Sequence, residues 1–558
     1  MDLFFTSINQ VFHNKGISTA KRFDILKKAF DIWGVGDIDQ LDIEDSNREL
    51  IIYIVKKLNI IGLDDPESIQ KFFMMFGEKI SKTSLDQFYT PKSICDFIKN
   101  TVVSGVDVLE PASGTGDMII SIEANSYEFW DTCDTVCDLV DIHCRIKKKK
   151  NITVRCVDSI VYSPGIKFDV IATNPPFGTK TVETRKDVLS TYNFADTKKT
   201  CQIGILFIEK SLNVLKPDGL LYIILPTGYL TNKSELDMRI KLISCFRLVA
   251  IINLPQNSFK RSGTGVDTSL LIIQNKKMTN DYEIFIHDVK FMGVDTSKRD
   301  TPILFEKDKN TGEIKTDIDG NPLVIDDFNT LVHKFKTFAH KNKIEYVADI
   351  DIVDTEYQTT SKNAILSNNT TFNIHDYTND LYGIVHTILE KPHFYLKNHV
   401  CAIKPSTIHK NNTYTYLDIS CISRGDYSEG KKMRGWELPG RATFLVEKND
   451  ILVSRLKGKM SFCIIFTIPK EPIICTNGVF VLRIQDEYIR LNVFKYLFST
   501  NFSLQCNAKM SGSIMASMKE SDLLGHVVFP IDTEYTRIRN FIQNIQLVHE
   551  TTMDFNSV

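Results

Sequence analysis

Apolar residues recur at helical spacing through Phe23, Ile25, Leu26, Ala29, Phe30 and Ile32, and again through Ile51, Ile52, Ile54, Val55 and Leu58. Gly34-Val35-Gly36 and Asp64-Asp65-Pro66 punctuate these runs, so residues 1–85 predict a helical domain. The texture changes at residue 86. Short apolar runs at 106–109, 139–142, 154–157, 168–172, 220–225, 248–254 and 269–273 alternate with helical patterns. The helix predicted over 205–215 stops at Lys216-Pro217-Asp218-Gly219. Strands alternating with helices predict an α/β domain over 86–345, built on a mostly parallel sheet covered on both faces. A short helix is predicted over 328–338. Residues 346–379, rich in Ser, Thr, Asn and Asp from 361 onward, read as a linker. A second α/β unit follows over 380–558, with strands expected at 416–419, 451–454, 462–466 and 479–484.

The charge balance refines this picture. Against 69 acidic residues stand 67 Lys and Arg, a net charge of -2, which excludes a globally basic nucleic-acid coat. The segment 391–470 departs from that balance with 14 basic and 6 acidic residues, as a local phosphate-facing surface requires. No apolar run reaches the length of a membrane span, and the start MDLFFTSINQVFHNKG lacks the pattern of a secretory signal. The 12 cysteines include no CxxC, and the spacing of Cys133, Cys137 and Cys144 matches no usual zinc site. We therefore expect reduced thiols, no metal and a reducing, cytoplasmic compartment.

Three constellations carry chemistry. After the first strand comes Glu110-Pro111-Ala112-Ser113-Gly114-Thr115-Gly116-Asp117, a tight glycine turn opening a helix, where backbone can approach a ligand closely. The chain lacks a GxxxxGK[ST] loop, so ATP hydrolysis is not supported. About 25 residues on, the run 139–142 predicts a second strand whose Asp141 holds ribose hydroxyls while Ile142 lies against an adenine ring. Asp158, followed by Ser159, ends the third strand and offers an acceptor to an exocyclic amine. The third constellation is Asn174-Pro175-Pro176-Phe177 after the fourth strand. Two prolines fix the turn. The Asn174 side-chain oxygen and the Pro175 carbonyl then form a pair of acceptors for an exocyclic amine, with Phe177 expected to stack on an extruded base.

Gln87-Phe88-Tyr89-Thr90-Pro91-Lys92, the glycine loop and Asn174 to Phe177, in that order, resemble the amino-methylating DNA methyltransferases. The match is closest to the modification subunits of type I restriction systems. The resemblance covers about 1–340 and departs from the family only slightly, with Ser113 where many relatives carry cysteine. It implies a Rossmann-like sheet that binds S-adenosylmethionine through Gln87 to Lys92, Glu110, Ala112 to Asp117, Asp141, Ile142, Asp158, Ser159 and Asn174. It also implies methyl transfer to adenine N6 at Asn174, Pro175, Pro176 and Phe177. Residue chemistry alone leaves cytosine N4 open, since it presents the same amine.

The C-terminal part resembles the target-recognition domains of type I specificity subunits through Val446-Glu447-Lys448-Asn449-Asp450, Thr476-Asn477-Gly478-Val479 and Ser511-Gly512-Ser513-Ile514-Met515. This implies double-stranded DNA as partner, with Arg424, Lys431, Lys432, Arg434, Arg441, Arg455, Lys457 and Lys459 as candidate contacts. Two-part recognition would need a homodimer or a further subunit, such as a separate restriction subunit. A combined modification–restriction enzyme is the alternative. Its nearest acid–lysine pairs, Glu313 with Lys315 and Glu429 with Lys431, fall in turn-like segments.

Overall fold

The computed structural model describes residues 8, 10–35, 47–61, 90–177, 181–195, 198–260, 265–298, 302–308, 311–349, 355–368, 370–377, 379–456, 460–468, 470–509 and 517–556. It divides into two compact units, Met1–Ile374 and His375–Val558.

In the first unit, α1 (Thr19–Val35) and α2 (Arg48–Ile61) pack through Ile25, Leu26, Ala29, Leu50, Ile51, Ile54, Val55 and Leu58, all buried. The apolar periodicity therefore marks a true inner face. Residues 36–46 and 62–85 of the predicted helical domain lie outside the described residues.

The rest of this unit is a nine-stranded sheet. Its strands are β1 (Asp107–Glu110), β2 (Ser126–Asp131), β3 (Ile152–Cys156), β4 (Phe168–Thr173), β5 (Leu215–Pro226), β6 (Arg247–Asn253), β7 (Thr268–Gln274), β8 (Glu283–Asp288) and β9 (Gln358–Ser361). They lie in the order β9-β8-β6-β7-β5-β4-β1-β2-β3. From β3 across to β5 every pair is parallel; β7 runs antiparallel between β5 and β6, and β9 antiparallel beside β8. The expected parallel sheet is thus mixed in its second half. Val108, Val170, Ala172, Leu220, Tyr222 and Ile224 form the centre of one core, closed by α3 (Lys92–Thr101) and by Leu331, Phe335 and Phe338 of a helix over Phe328–Lys341. The chain leaves β1 towards β2 and β3 on one side and returns through β4 and β5 on the other. The sheet order therefore reverses between β1 and β4, where ligands of open α/β sheets gather.

Two sequence expectations are corrected. The run 139–142 is not a strand. It belongs to α4 (Asp134–Ile146), and the second strand is the earlier β2. Helix α4 buries two sides: Val140 and Cys144 enter the sheet core, whereas Leu139 and Ile142 join the cluster of α1 and α2. Burial on both sides fills consecutive positions with apolar residues and imitates a strand. Nor is 346–379 a plain linker. Gln358–Ser361 pairs with β8, a helix over Lys362–Ser367 follows it, and buried Arg239 donates to the Thr370 carbonyl at 2.8 Å.

The second unit carries two four-stranded sheets. One orders β10 (Val400–Cys401), β17 (Val479–Ile484), β14 (Ile451–Ser454) and β15 (Phe462–Ile464) as β10-β17-β14-β15. The other orders β11 (Thr413–Leu417), β12 (Lys431–Arg434), β13 (Ala442–Leu445) and β16 (Ile473–Thr476) as β12-β11-β16-β13. The chain ends in a helix over Tyr535–Asn556. Among the described residues, no helix is long and apolar enough to cross a membrane, and the 12 cysteines carry no disulfide.

Candidate active site

Leu109 of β1 pairs with Ile171 of β4, so the loops leaving the two strands emerge side by side. Glu110, the last residue of β1, is 3% exposed. Burial, reinforced by the neighbouring Asp117 charge, pushes its carboxyl well above the usual carboxylate range, although the Met118 and Ile119 N–H groups oppose this. Its Oε2 and the Ser113 hydroxyl are buried with no hydrogen-bond partner among the described residues. The loop then turns tightly: the Gly116 N–H donates to the Ser113 carbonyl at 2.6 Å. Gly116 adopts φ +77°, and a Cβ there would lie 3.0 Å from the Phe129 ring, so the position requires glycine. Open space faces the Cα of Gly114, at φ +49°. Thr115 hydrogen-bonds buried Asp117, and fully buried His143 engages the Thr115 carbonyl through Nδ1 at 2.7 Å.

The acid beside this loop is Asp131, at the end of β2, which the sequence reading missed. It accepts from the Gly114 N–H at 3.2 Å and the Cys133 N–H at 3.1 Å. Burial pushes its carboxyl up despite those bonds, and it forms no ion pair among the described residues. Asp141, expected there, instead projects from α4 half-exposed and pairs with Arg145 at 2.5 Å. Ile142 is buried among the N-terminal helices, so neither residue stands at a strand end. The signal for β2 was Tyr127-Glu128-Phe129-Trp130-Asp131, obscured because Glu128 interrupts the apolar run. That glutamate is buried, accepting from the Trp130 indole and from Arg155, each at 2.7 Å.

Asp158 does follow β3, where it accepts from the Ile160 N–H at 3.0 Å and pairs with Arg185 at 2.9 Å. Arg185, also missed by sequence reading, binds Glu183 as well. Ser159 donates to the Pro111 carbonyl at 2.5 Å, fastening the third-strand loop to the first.

Asn174 follows β4 and donates from Nδ2 to the Thr90 hydroxyl at 3.3 Å. Thr90 is buried and Pro91 caps α3, while Lys92 turns to Asp96. Gln87, Phe88 and Tyr89 lie outside the described residues. Pro175 is buried and Pro176 half-buried. Phe177 departs from expectation: it is 2% exposed, edge-on to Phe259 with ring centres 5.7 Å apart, and so offers no open face to a base. The structure thus gathers Thr90, Glu110, Ser113 to Asp117, Asp131, Asp158, Ser159 and Asn174 around the switch point.

Residues 70–371, more than half of the 558-residue chain, match the N-6 DNA Methylase family. The chain belongs to that family. The chain is 24% identical over 291 residues to the type I restriction enzyme EcoEI methylase subunit of Escherichia coli, a match covering 47% of the chain and 58% of that protein. The chain therefore spans little more than half the length of that curated relative. Among solved structures, it is similar to the type I restriction-modification methyltransferase subunit from Streptococcus thermophilus (15% identity, TM-score 0.43, 67% of this chain and 80% of that one). It is also similar to the type IIG restriction endonuclease BpuSI (12% identity, TM-score 0.46, 91% of this chain and 66% of that one).

The basic candidates of the second unit divide by environment. Lys431, Lys432 and Arg434 are exposed on edge strand β12, with Lys432 3.5 Å from Glu471. Exposed Arg441 pairs with Asp418 at 2.7 Å and donates to the Tyr416 hydroxyl at 3.2 Å. Arg424 donates to the Phe498 carbonyl. Arg455 is mostly buried; its guanidinium lies 4.3 Å from the Phe480 ring centre and donates to the Val479 carbonyl at 3.3 Å, a packing role rather than an open contact. Lys457, Lys459 and the 511–515 motif lie outside the described residues.

Proposed function

We propose that this methylase is a sequence-specific DNA adenine-N6 methyltransferase that takes its methyl group from S-adenosylmethionine and acts on an adenine extruded from double-stranded DNA. One observation carries the reading: the glycine loop, the Asn174 turn and Thr90 converge where the sheet order reverses, tied by the 3.3 Å bond from Asn174 to Thr90.

The residues around the loop fit the cofactor. Buried Glu110 and Asp131 form no ion pair among the described residues, and both are pushed towards the protonated state. A ligand that carries an ammonium and a sulfonium charge beside ribose hydroxyls supplies a cation for Glu110 and hydrogen-bond donors for Asp131, and the buried Ser113 hydroxyl and Glu110 Oε2 supply acceptors for it. Asp131 takes the ribose role expected of Asp141. S-adenosylmethionine, when bound, supplies an electrophilic methyl group on its sulfonium.

The chain's own work is at the amine. The Asn174 side-chain oxygen and the Pro175 carbonyl accept from the two amine hydrogens and draw the nitrogen towards sp3, exposing its lone pair. The diproline holds both acceptors without reorganisation. Phe177 braces the turn against Phe259. No covalent intermediate with the enzyme is required. The second unit reads the duplex, and recognition of a two-part site calls on a second copy or a further subunit.

The test is incubation of the purified chain with duplex DNA and methyl-labelled S-adenosylmethionine, followed by digestion to nucleosides. Label in N6-methyladenine is expected. Label in N4-methylcytosine reassigns the base, and no label in nucleosides removes the proposal.

A further inference from the structure

The second unit exposes an indole that none of the basic candidates accounts for. Trp436 is 64% exposed, more than any phenylalanine among the described residues. A lone exposed apolar side chain is ordinary on a protein surface. The setting of this one is not. It sits in the turn directly after β12, the edge strand Lys431–Arg434, and its backbone N–H donates to the Lys410 carbonyl at 3.2 Å. Lys410, Lys431 and Arg434 are exposed and form no ion pair among the described residues, while Lys432 reaches only Glu471. Acids are few here. Glu437 spends its carboxylate on the Arg434 N–H at 2.7 Å, which tightens the turn.

The turn is rigid as well as basic. The Gly435 N–H donates to the Asn412 carbonyl at 2.9 Å, and a Cβ on Gly435 would lie 2.2 Å from the His409 carbonyl oxygen. Only glycine permits this approach, and it fixes the backbone from which the indole projects. A flat apolar ring held stiffly among uncompensated cations suits a ligand that pairs phosphates with apolar base faces. Pre-setting the ring also lowers the entropy lost on binding.

We infer that Trp436 is a nucleobase-contacting wedge of the duplex-DNA surface, with Lys410, Lys431 and Arg434 seating the flanking phosphates. The inference rests on the DNA-methyltransferase reading and adds to it a residue and a mode of contact. The partner is duplex DNA, chosen on charge complementarity.

The test uses the full chain and a duplex oligonucleotide carrying its mapped methylation site. Trp436→Ala should bind about 5- to 150-fold more weakly, the range for losing one base–aromatic stack, and Trp436→Phe should recover most of that loss. The salt dependence of binding should be unchanged in Trp436→Ala, since no phosphate contact is removed. The chain has three tryptophans: Trp130 is fully buried, and Trp33 is partly buried against the N-terminal helical cluster. Duplex should therefore quench wild-type emission, and Trp436→Phe should lose that response. If Trp436→Ala binds and methylates like wild type and the emission ignores DNA, the wedge is refuted while the methyltransferase reading stands. Stronger quenching by single-stranded RNA than by the duplex overturns the choice of partner. Failure of the wild-type chain to bind or methylate any duplex removes the underlying reading itself.

Discussion

Strand β1 is four residues long and carries an acid at each end, and the two acids live in opposite circumstances. At its start, Asp107 meets Lys216 at 2.9 Å and accepts from Ser126 at 2.8 Å; the same lysine reaches Asp169 of the neighbouring strand β4 at 3.0 Å. The hydrogen bond from Lys216 holds the Asp107 carboxyl below its ordinary range. At its end, Glu110 is buried without a cation and is pushed the other way. The same pair of strands thus satisfies its charge where it only has to fold and leaves it unmatched at the end where the proposed site gathers. Perturbed carboxyls cluster at sites prepared for a ligand, and the mismatch is a cost to the unliganded fold.

The comparison breaks most visibly beyond the carboxyl ends, at Asn174. Asn174→Ala should reduce methyl transfer by about 10²–10³-fold or more, with S-adenosylmethionine binding retained in calorimetry. Equal loss of binding would make the residue structural. Asp131→Ala should weaken cofactor binding by about 1–3 kcal/mol, as expected when hydrogen-bonding groups lose their partner, whereas Asp141→Ala should leave it unchanged. The reverse outcome would restore the ribose role to α4.

Glu110→Gln sharpens the contrast through stability. A raised carboxyl costs the folded state increasingly as pH rises from its unfolded value near 4.5 through the folded value. The variant should therefore melt higher than wild type at neutral pH without cofactor, lose this advantage in acid, and bind S-adenosylmethionine less tightly. Asp107→Asn should move stability least and in the opposite direction. A depressed carboxyl stabilises above its unfolded value near 3.8, and that contribution fades as pH falls through the folded value. Because Asp107 and Lys216 are each more than a third exposed, the loss should stay below about 1 kcal/mol in denaturant titrations.

Much of the site was legible because its chemistry is local. Glu110 to Asp117 and Asn174 to Phe177 each form a continuous run on a strand end, and the structure places both where spacing put them. What escaped depends on partners distant in sequence. Asp131 was hidden because Glu128 breaks the apolar pattern of β2 while being satisfied by Trp130 and Arg155. Asp141 was misplaced because α4 buries two sides. Phe177 looked like a stacking face because its partner, Phe259, lies 82 residues away and edge-on. In the second unit, spacing revealed β14, β15 and β17 but neither β13 nor β16, nor β12, where Lys431, Lys432 and Arg434 read as loop.

The antiparallel strand Gln358–Ser361 changes how the two units could be separated genetically. A cut at residue 345 would strip β9 from β8 and leave Phe285 and its neighbours behind an unpaired row of backbone donors and acceptors, an invitation to intermolecular pairing. Severing the chain after Ile374 keeps that margin sealed. An insoluble fragment ending near 345 would therefore report a torn hem and carry no information about whether the first unit folds by itself.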